Sequence, residues 1–257
     1  MNGSVVITTK KLHEISMKKQ NVSNLCSEMP CDVLKDMFLR GTSKDLAGRE
    51  VPCKPALTWP NVQALYKTIS LYKPSNVLEV GMAFGTSSLA ILSALKKLGQ
   101  NGRLISIDPS QTTAFAAQGI INVQHAGLQD LHELIEECDF IALPTLLKQS
   151  KKFDFIYIDG WHTIDYVLLD IFYCDKLLKP GGIMAFNDCG WRAVHKALNF
   201  LKTHHHYKEI DVGLRRDFSA RNPLFKVIKM IEGRSIADRY FEKVEDWEPP
   251  SNFFARF

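Results

Sequence analysis

From residue 77 to residue 87 the chain reads Val77-Leu78-Glu79-Val80-Gly81-Met82-Ala83-Phe84-Gly85-Thr86-Ser87, an apolar run that meets an acidic residue, passes through small residues and enters a helix-compatible stretch. Strand, tight loop and helix in that order point to an open α/β sheet with a binding crevice at the strand's carboxyl end. Small residues there let backbone N–H groups approach a ligand at a helix N-terminus, which suits an anionic or carboxylate-bearing cofactor. A dinucleotide fingerprint starting at Gly81 needs glycine at 83 and 86, where the chain has Ala83 and Thr86. No Gly-Lys-Ser/Thr closes the loop as phosphate-cradling loops require. NAD and nucleoside triphosphates are therefore disfavoured.

A second turn and strand, Gly102-Arg103-Leu104-Ile105-Ser106-Ile107-Asp108, again ends on an acidic residue. Carboxyl ends of adjacent parallel strands lie side by side, so Glu79 and Asp108 can reach one crevice, where a carboxylate can accept from both ribose hydroxyls. Glu-x-Gly-x-Ala-x-Gly followed by Thr-Ser resembles the first motif of class I S-adenosylmethionine-dependent methyltransferases. The resemblance implies that Gly81, Ala83, Gly85 and Ser87 hold the methionine carboxylate end of S-adenosyl-L-methionine, that Glu79 supports it, and that Asp108 takes the ribose.

From about Asn76 onward, strand-like runs alternate with helix-like segments, the pattern of a parallel sheet with crossover helices. Strands are expected at 76–80, 104–107, 121–124, 153–158, 183–186, 208–212 and 225–230, and helices from near Trp59, Thr86, Leu128, Thr163 and Trp191. Thr58 and Pro60 supply a cap and a first-turn proline for the first of these. The polar stretch 214–223 between the last two strands carries no helical periodicity and implies an antiparallel closing pair. The expected fold is α/β: a doubly wound, seven-stranded, mostly parallel Rossmann-like sheet with an antiparallel last strand. Residues 1–57 form an N-terminal helical extension or lid, with Val33, Leu34, Met37, Phe38 and Leu39 at helical spacing. Residues 58–232 form the core. Residues 233–257 form an aromatic tail that packs on the core or a partner; the alternative is a wall for an aromatic acceptor.

The chemistry is expected after the fourth and fifth strands, at Asp159-Gly160-Trp161-His162 and Asn187-Asp188. These segments resemble small-molecule O-methyltransferases of the catechol and caffeoyl-CoA type, in which an Asp and an adenine-packing aromatic follow the fourth strand and adjacent Asp and Asn follow the fifth as cation ligands. Asp159 matches the Asp and Trp161 the aromatic, while His162 stands where the catechol enzyme has a catalytic lysine. Asn187-Asp188 is the reverse of the family order, which would turn the two side chains to opposite faces of a continuing strand. Asp159, Asn187 and Asp188 are the candidate metal ligands, for Mg2+ as an optional second cofactor. Asp159, His162 and Asp188 are the candidate catalytic residues, with His162 as base. The loop Ala126-Gly127-Leu128-Gln129-Asp130 resembles the family segment at the adenine edge, which makes Leu128 and Gln129 cofactor contacts beside Asp159 and Trp161. His195 and Arg192 are assigned no role.

The reading is thus an S-adenosylmethionine-dependent methyltransferase acting on a small-molecule hydroxyl. A metal-dependent hydroxylase of the same fold and a non-catalytic cofactor-binding subunit remain the alternatives. At 257 residues and 46% hydrophobic content the chain can bury one large core. Its net charge of +4 comes without an extended basic stripe, so no nucleic-acid partner is expected. No apolar stretch approaches a membrane span. Six cysteines without a C-x-x-C pair indicate a reducing compartment, and the cytoplasm is the expected location. A homodimer is allowed for.

Overall fold

The computed structural model describes residues 29–99 and 101–257. The helical spacing near residue 35 is realised as α1 (Asp32–Arg40), whose Leu34 and Met37 are buried and whose Phe38 ring meets Trp59 edge-on at 5.5 Å. A short antiparallel hairpin follows, β1 (Thr42–Lys44) and β2 (Glu50–Pro52). Asp45 closes its turn by accepting the N–H groups of Ala47 and Arg49 at 2.9 Å each. Helix α2 (Trp59–Tyr72) starts where the sequence indicates, with Thr58 Oγ1 accepting from the Asn61 N–H.

The main sheet is built from β3 (Asn76–Val80), β4 (Arg103–Ile107), β5 (His132–Ile135), β6 (Phe153–Ile158), β7 (Leu178–Phe186), β8 (Tyr207–Ile210) and β9 (Arg239–Lys243). The connecting helices are α3 (Thr86–Leu98), α4 (Gln118–His125), α5 (Asp139–Lys148), α6 (Ile164–Leu177), α7 (Arg192–His204) and α8 (Pro223–Glu232). The strand order is β5-β4-β3-β6-β7-β9-β8, with β9 antiparallel to both of its neighbours. Strand order reverses between β3 and β6, so the crevice expected of an open α/β sheet opens there. One apolar core joins α1, α2 and α3 to Phe155, Tyr157 and Tyr240. A second covers the opposite face with α5, α6 and α7.

Three expected elements differ. Residues 121–124 lie in α4, not in a strand, because Asn122 sits wholly buried on that helix and donates to the Phe84 carbonyl at 2.9 Å. The third strand is instead His132–Ile135, a partly exposed edge strand whose His and Glu mask its pattern. The helix expected from Leu128 is correspondingly one 3-10 turn, Gln129–Leu131. Residues 225–230 lie in α8, whose start is fixed by Pro223 and by the Asn222 side chain accepting the Leu224 N–H at 2.9 Å. Gly233, left-handed at φ 70°, ends it.

The strand beside β7 is therefore 239–243, within the segment expected to be an extended tail. It reads as polar in sequence because a charged residue stands at each end, and each is paired: Arg239 forks onto Glu209 at 2.7 and 2.6 Å, and Lys243 meets Asp175 at 3.3 Å. The connection from β8 is an excursion through α8 rather than a hairpin. Beyond β9, Trp247 stacks on His206 at 4.7 Å, and Phe253, Phe254 and Phe257 surround His204. That cluster closes the amino end of the sheet, opposite the crevice, and forms no wall for an acceptor there.

Candidate active site

At the end of β3, Gly81 takes φ 89°, Ala83 φ 46° and Gly85 φ 78°, a succession of left-handed residues that turns the chain sharply into α3. Glycine is required at 81 twice over, because a Cβ there would lie 2.1 Å from the Asp159 carbonyl oxygen. Asp108 braces this loop from the neighbouring strand. Its Oδ2 accepts the N–H groups of Met82 at 3.0 Å and Ala83 at 2.7 Å, while its Oδ1 accepts only that of Ser110, at 2.8 Å. Gln111, which the sequence reading missed, donates to the Ala83 carbonyl at 2.7 Å and holds the loop from the other side.

A cavity of about 260 Å3 opens over this loop, lined among others by Gly81, Ala83, Asp108, Asp159 and Trp161. Glu79 lies beneath it. One of its oxygens accepts the Ser88 and Ser106 hydroxyls at 2.6 Å each, and Oε1 is buried with no partner. Burial pushes its carboxyl up to about 7, against the pull of those hydroxyls. Ser87 is buried in the first turn of α3. Leu128 and Gln129 do not reach the cavity: Leu128 is buried in the core, and Gln129 is exposed on the 3-10 turn. Their place is taken by Phe115, Cys138, Asp139 and Tyr166. Cys138 and Asp139 escape the sequence reading because they follow a third strand that lies eleven residues later than expected.

Asp159 leaves β6 at the shared wall of this cavity and a smaller one lined by His162 and Asn187. Asp188 adopts φ 51°, so the strand ends at Phe186 and the chain turns. The turn leaves Asn187 almost fully buried and carries Asp188 to the histidine, which accommodates the reversed order of the pair. His162 Nε2 stands 3.1 Å from Asp188 Oδ2 and 3.8 Å from Asp159 Oδ1, without a well-directed hydrogen bond to either. The Asp159 and Asp188 carboxylates push the imidazole up to about 9. Burial raises the Asp159 carboxyl, and His162 and Asn187 draw it back down. Trp191, 59% exposed, stacks on the His162 ring at 5.5 Å, and Trp161, 67% exposed, borders both cavities.

Residues 78–189 match a family described as a methyltransferase domain. This part of the chain is a methyltransferase domain. Solved structures agree on the fold of this methyltransferase. Cofactor-bound Rv0187 from MTB superposes with a TM-score of 0.59 at 16% identity, covering 74% of this chain and 83% of that one. The O-methyltransferase TomG from Streptomyces achromogenes, solved with SAM, gives 0.58 at 18% identity over 73% and 81%. An O-methyltransferase from Bacillus cereus, in complex with SAH, gives 0.54 at 17% identity over 61% and 76%. No curated protein matches the sequence significantly.

The residues of the methyltransferase fit both groups in question. The orphaned Glu79 Oε1 and the spare lone pairs of Asp108 Oδ1 are acceptors suited to the ammonium and ribose hydroxyls of S-adenosylmethionine. Asp159, His162 and Asp188 bring ligand atoms to within 4.8 Å of one another, a set of two carboxylates and an imidazole that suits a divalent cation. Among the described residues no helix is long and apolar enough to cross a membrane.

Proposed function

We propose that this methyltransferase alkylates a hydroxyl oxygen of a small molecule. The observation that carries the reading is the Asp159–His162–Asp188 cluster, set directly beside the cavity over the glycine loop. Gly81, Ala83, Gly85 and Ser87 hold the methionine end, with Glu79 beneath it, and Asp108 Oδ1 takes the ribose. Trp161 borders the adenine, together with Asp139 and Tyr166 in place of Leu128 and Gln129. Bound S-adenosylmethionine supplies a methyl carbon made electrophilic by its sulfonium.

Asp159 and Asp188 position the acceptor hydroxyl, and His162 Nε2 receives its proton. The acceptor oxygen bonds to the methyl carbon as the carbon–sulfur bond breaks, and a methyl ether and S-adenosylhomocysteine leave. An imidazole already protonated between two carboxylates cannot take that proton. Its basicity would be restored were one carboxylate's charge countered; a divalent cation would be held by Asp159 and Asp188, with Asn187 alongside, and would lower the hydroxyl pKa and free His162.

Calorimetric titration of S-adenosylmethionine into the wild type and Asp108→Ala, with Mg2+ and after chelation, tests the assignment. Binding by the wild type and not by the variant supports the cofactor site. Methyl transfer to hydroxyl compounds that stops on chelation, while cofactor binding persists, supports the metal. Failure of the wild type to bind the cofactor would overturn the whole reading.

A further inference from the structure

A larger opening, of about 660 Å3, adjoins the methyl-transfer site and is bounded by α7, β8 and the segment that returns to β9. The register fixes its position. Arg239, in its wall, pairs with Phe186, the residue directly before Asn187 and Asp188. His195, also in its wall, is one helical turn from Trp191, which stacks on His162. The opening therefore begins where β7 ends, one helical turn from the tryptophan that stacks on the candidate base, and its volume is that of a small-molecule site.

Its charges are unevenly satisfied. Arg239 is fully committed to Glu209, and Glu232 is committed to Arg234. Asp238 is buried and engaged by the Asn61 amide at 2.6 Å and the Tyr157 hydroxyl at 2.7 Å. Lys202 and Arg216 make no hydrogen bond or ion pair among the described residues, and His195 Nδ1 is buried without a partner. The cations also crowd one another. Burial holds both His195 and Lys202 below their ordinary values, and Arg239 lowers each of them further. Asp211, also in the lining, is exposed and accepts only the Gly213 N–H, so the two unpaired cations share the opening with one unpaired carboxylate. Two such cations beside an orphaned imidazole nitrogen in a concave space can still take an anion.

We propose that this opening binds an acidic group, carboxylate or phosphate, carried by the methyl acceptor itself. Lys202 and Arg216 form its ion pairs, His195 Nδ1 hydrogen-bonds to it, and the rest of the acceptor extends past Trp191 so that its hydroxyl meets His162. The inference rests on the methyl-transfer reading and names the substrate class for that site.

Two measurements on the full chain, saturated with S-adenosylhomocysteine, test it. Inorganic phosphate and, separately, acetate are titrated at constant ionic strength while the His195 imidazole resonances are followed by NMR, with chloride as control. A saturable shift with one of the two anions is expected, and which anion gives it distinguishes phosphate from carboxylate. Lys202→Met/Arg216→Met should weaken that binding at least about tenfold, since hydrogen bonds to charged groups are the stronger kind. In the second measurement, labelled methyl transfer is compared between acidic and neutral pools of hydroxyl compounds. Label in the acidic pool is expected, with an acceptor KM about tenfold higher in the double variant and unchanged affinity for S-adenosylhomocysteine. Label confined to neutral compounds, or anion shifts that persist in the double variant, overturns the proposal. Failure to bind S-adenosylhomocysteine condemns the methyl-transfer reading instead, and the anion titration then judges the opening alone.

Discussion

At one end of β9 the ammonium of Lys243 is fully buried and reaches the carbonyls of Asp175 and Leu178 at 2.5 and 3.2 Å, and the carboxylates of Asp175 and Asp246 at 3.3 and 2.7 Å. At the other end, around Arg239, Lys202 and Arg216 make no ion pair among the described residues: Glu209 is taken by Arg239, and Asp211 pairs with neither. Both ends are rich in charge, and only one is closed. A cation whose partners all come from the chain holds the fold together, whereas one left without them in a concave space remains open to a ligand.

The strongest way to break that contrast is to remove each cation in turn. Lys243→Met takes the ammonium from the buried Asp175 carboxylate, leaving it the Tyr207 hydroxyl at 2.8 Å and His205 at 3.5 Å, and should cost about 3 kcal/mol in urea unfolding. Lys202→Met should move stability by less than about 0.5 kcal/mol. Equal effects would show that the two ends are alike. Next in size, His162→Gln should lower methyl transfer about a hundredfold, the usual contribution of a positioned base, and leave S-adenosylhomocysteine affinity intact. A parallel loss of affinity would make His162 part of the cofactor site.

Gly81→Ala probes the part of the crevice that is closed by backbone alone. The added methyl meets the Asp159 carbonyl and the residue must keep φ 89°, so a loss of about 1–3 kcal/mol in thermal unfolding is expected, with weakened cofactor binding. The smallest effect concerns a buried acid and base joined through Ser106, whose hydroxyl donates to Glu79 at 2.6 Å and lies 3.0 Å from His132 Nε2. Burial raises Glu79 from 4.5 to about 7, so its contribution to stability falls as pH rises across that interval. Burial lowers His132 from 6.5 to about 4, so its contribution is present above 6.5 and is lost as pH falls toward 4. The two slopes oppose each other between pH 4.5 and 6.5, so this pair adds almost nothing to the pH dependence of stability there. Glu79→Gln uncovers the His132 slope, so the variant's stability should rise relative to wild type over the same window; parallel profiles of variant and wild type would break the pairing.

The glycine loop beneath the cavity was legible because backbone geometry writes it into particular residues. A left-handed turn against another strand's carbonyl admits glycine at 81, and an acid at the end of the next strand braces that turn. The acceptor half has no such signature. Asn187-Asp188 reads as two opposed faces until the left-handed φ of Asp188 is known. Asp139 escapes notice because β5, which precedes it, hides its pattern behind His132 and Glu133. The larger opening draws on α7, β8 and the return to β9, and no local pattern announces a place assembled from three separate segments. The last strand was masked by the very charges that its partners neutralise.

Strand β9 lies between β7 and β8 although it follows both in the chain. During synthesis, then, β7 and β8 emerge first as two open edges with a strand-wide gap between them, and neither can be covered until residues 239–243 have left the ribosome. A nascent chain paused anywhere in α8 exposes unpaired backbone on both sides of that gap, the kind of edge that recruits strands from other molecules. Arrival of β9 closes both edges at once, and in the same movement sets Arg239 beside the end of β7, so the sheet and the acceptor side of the crevice are completed by one late event.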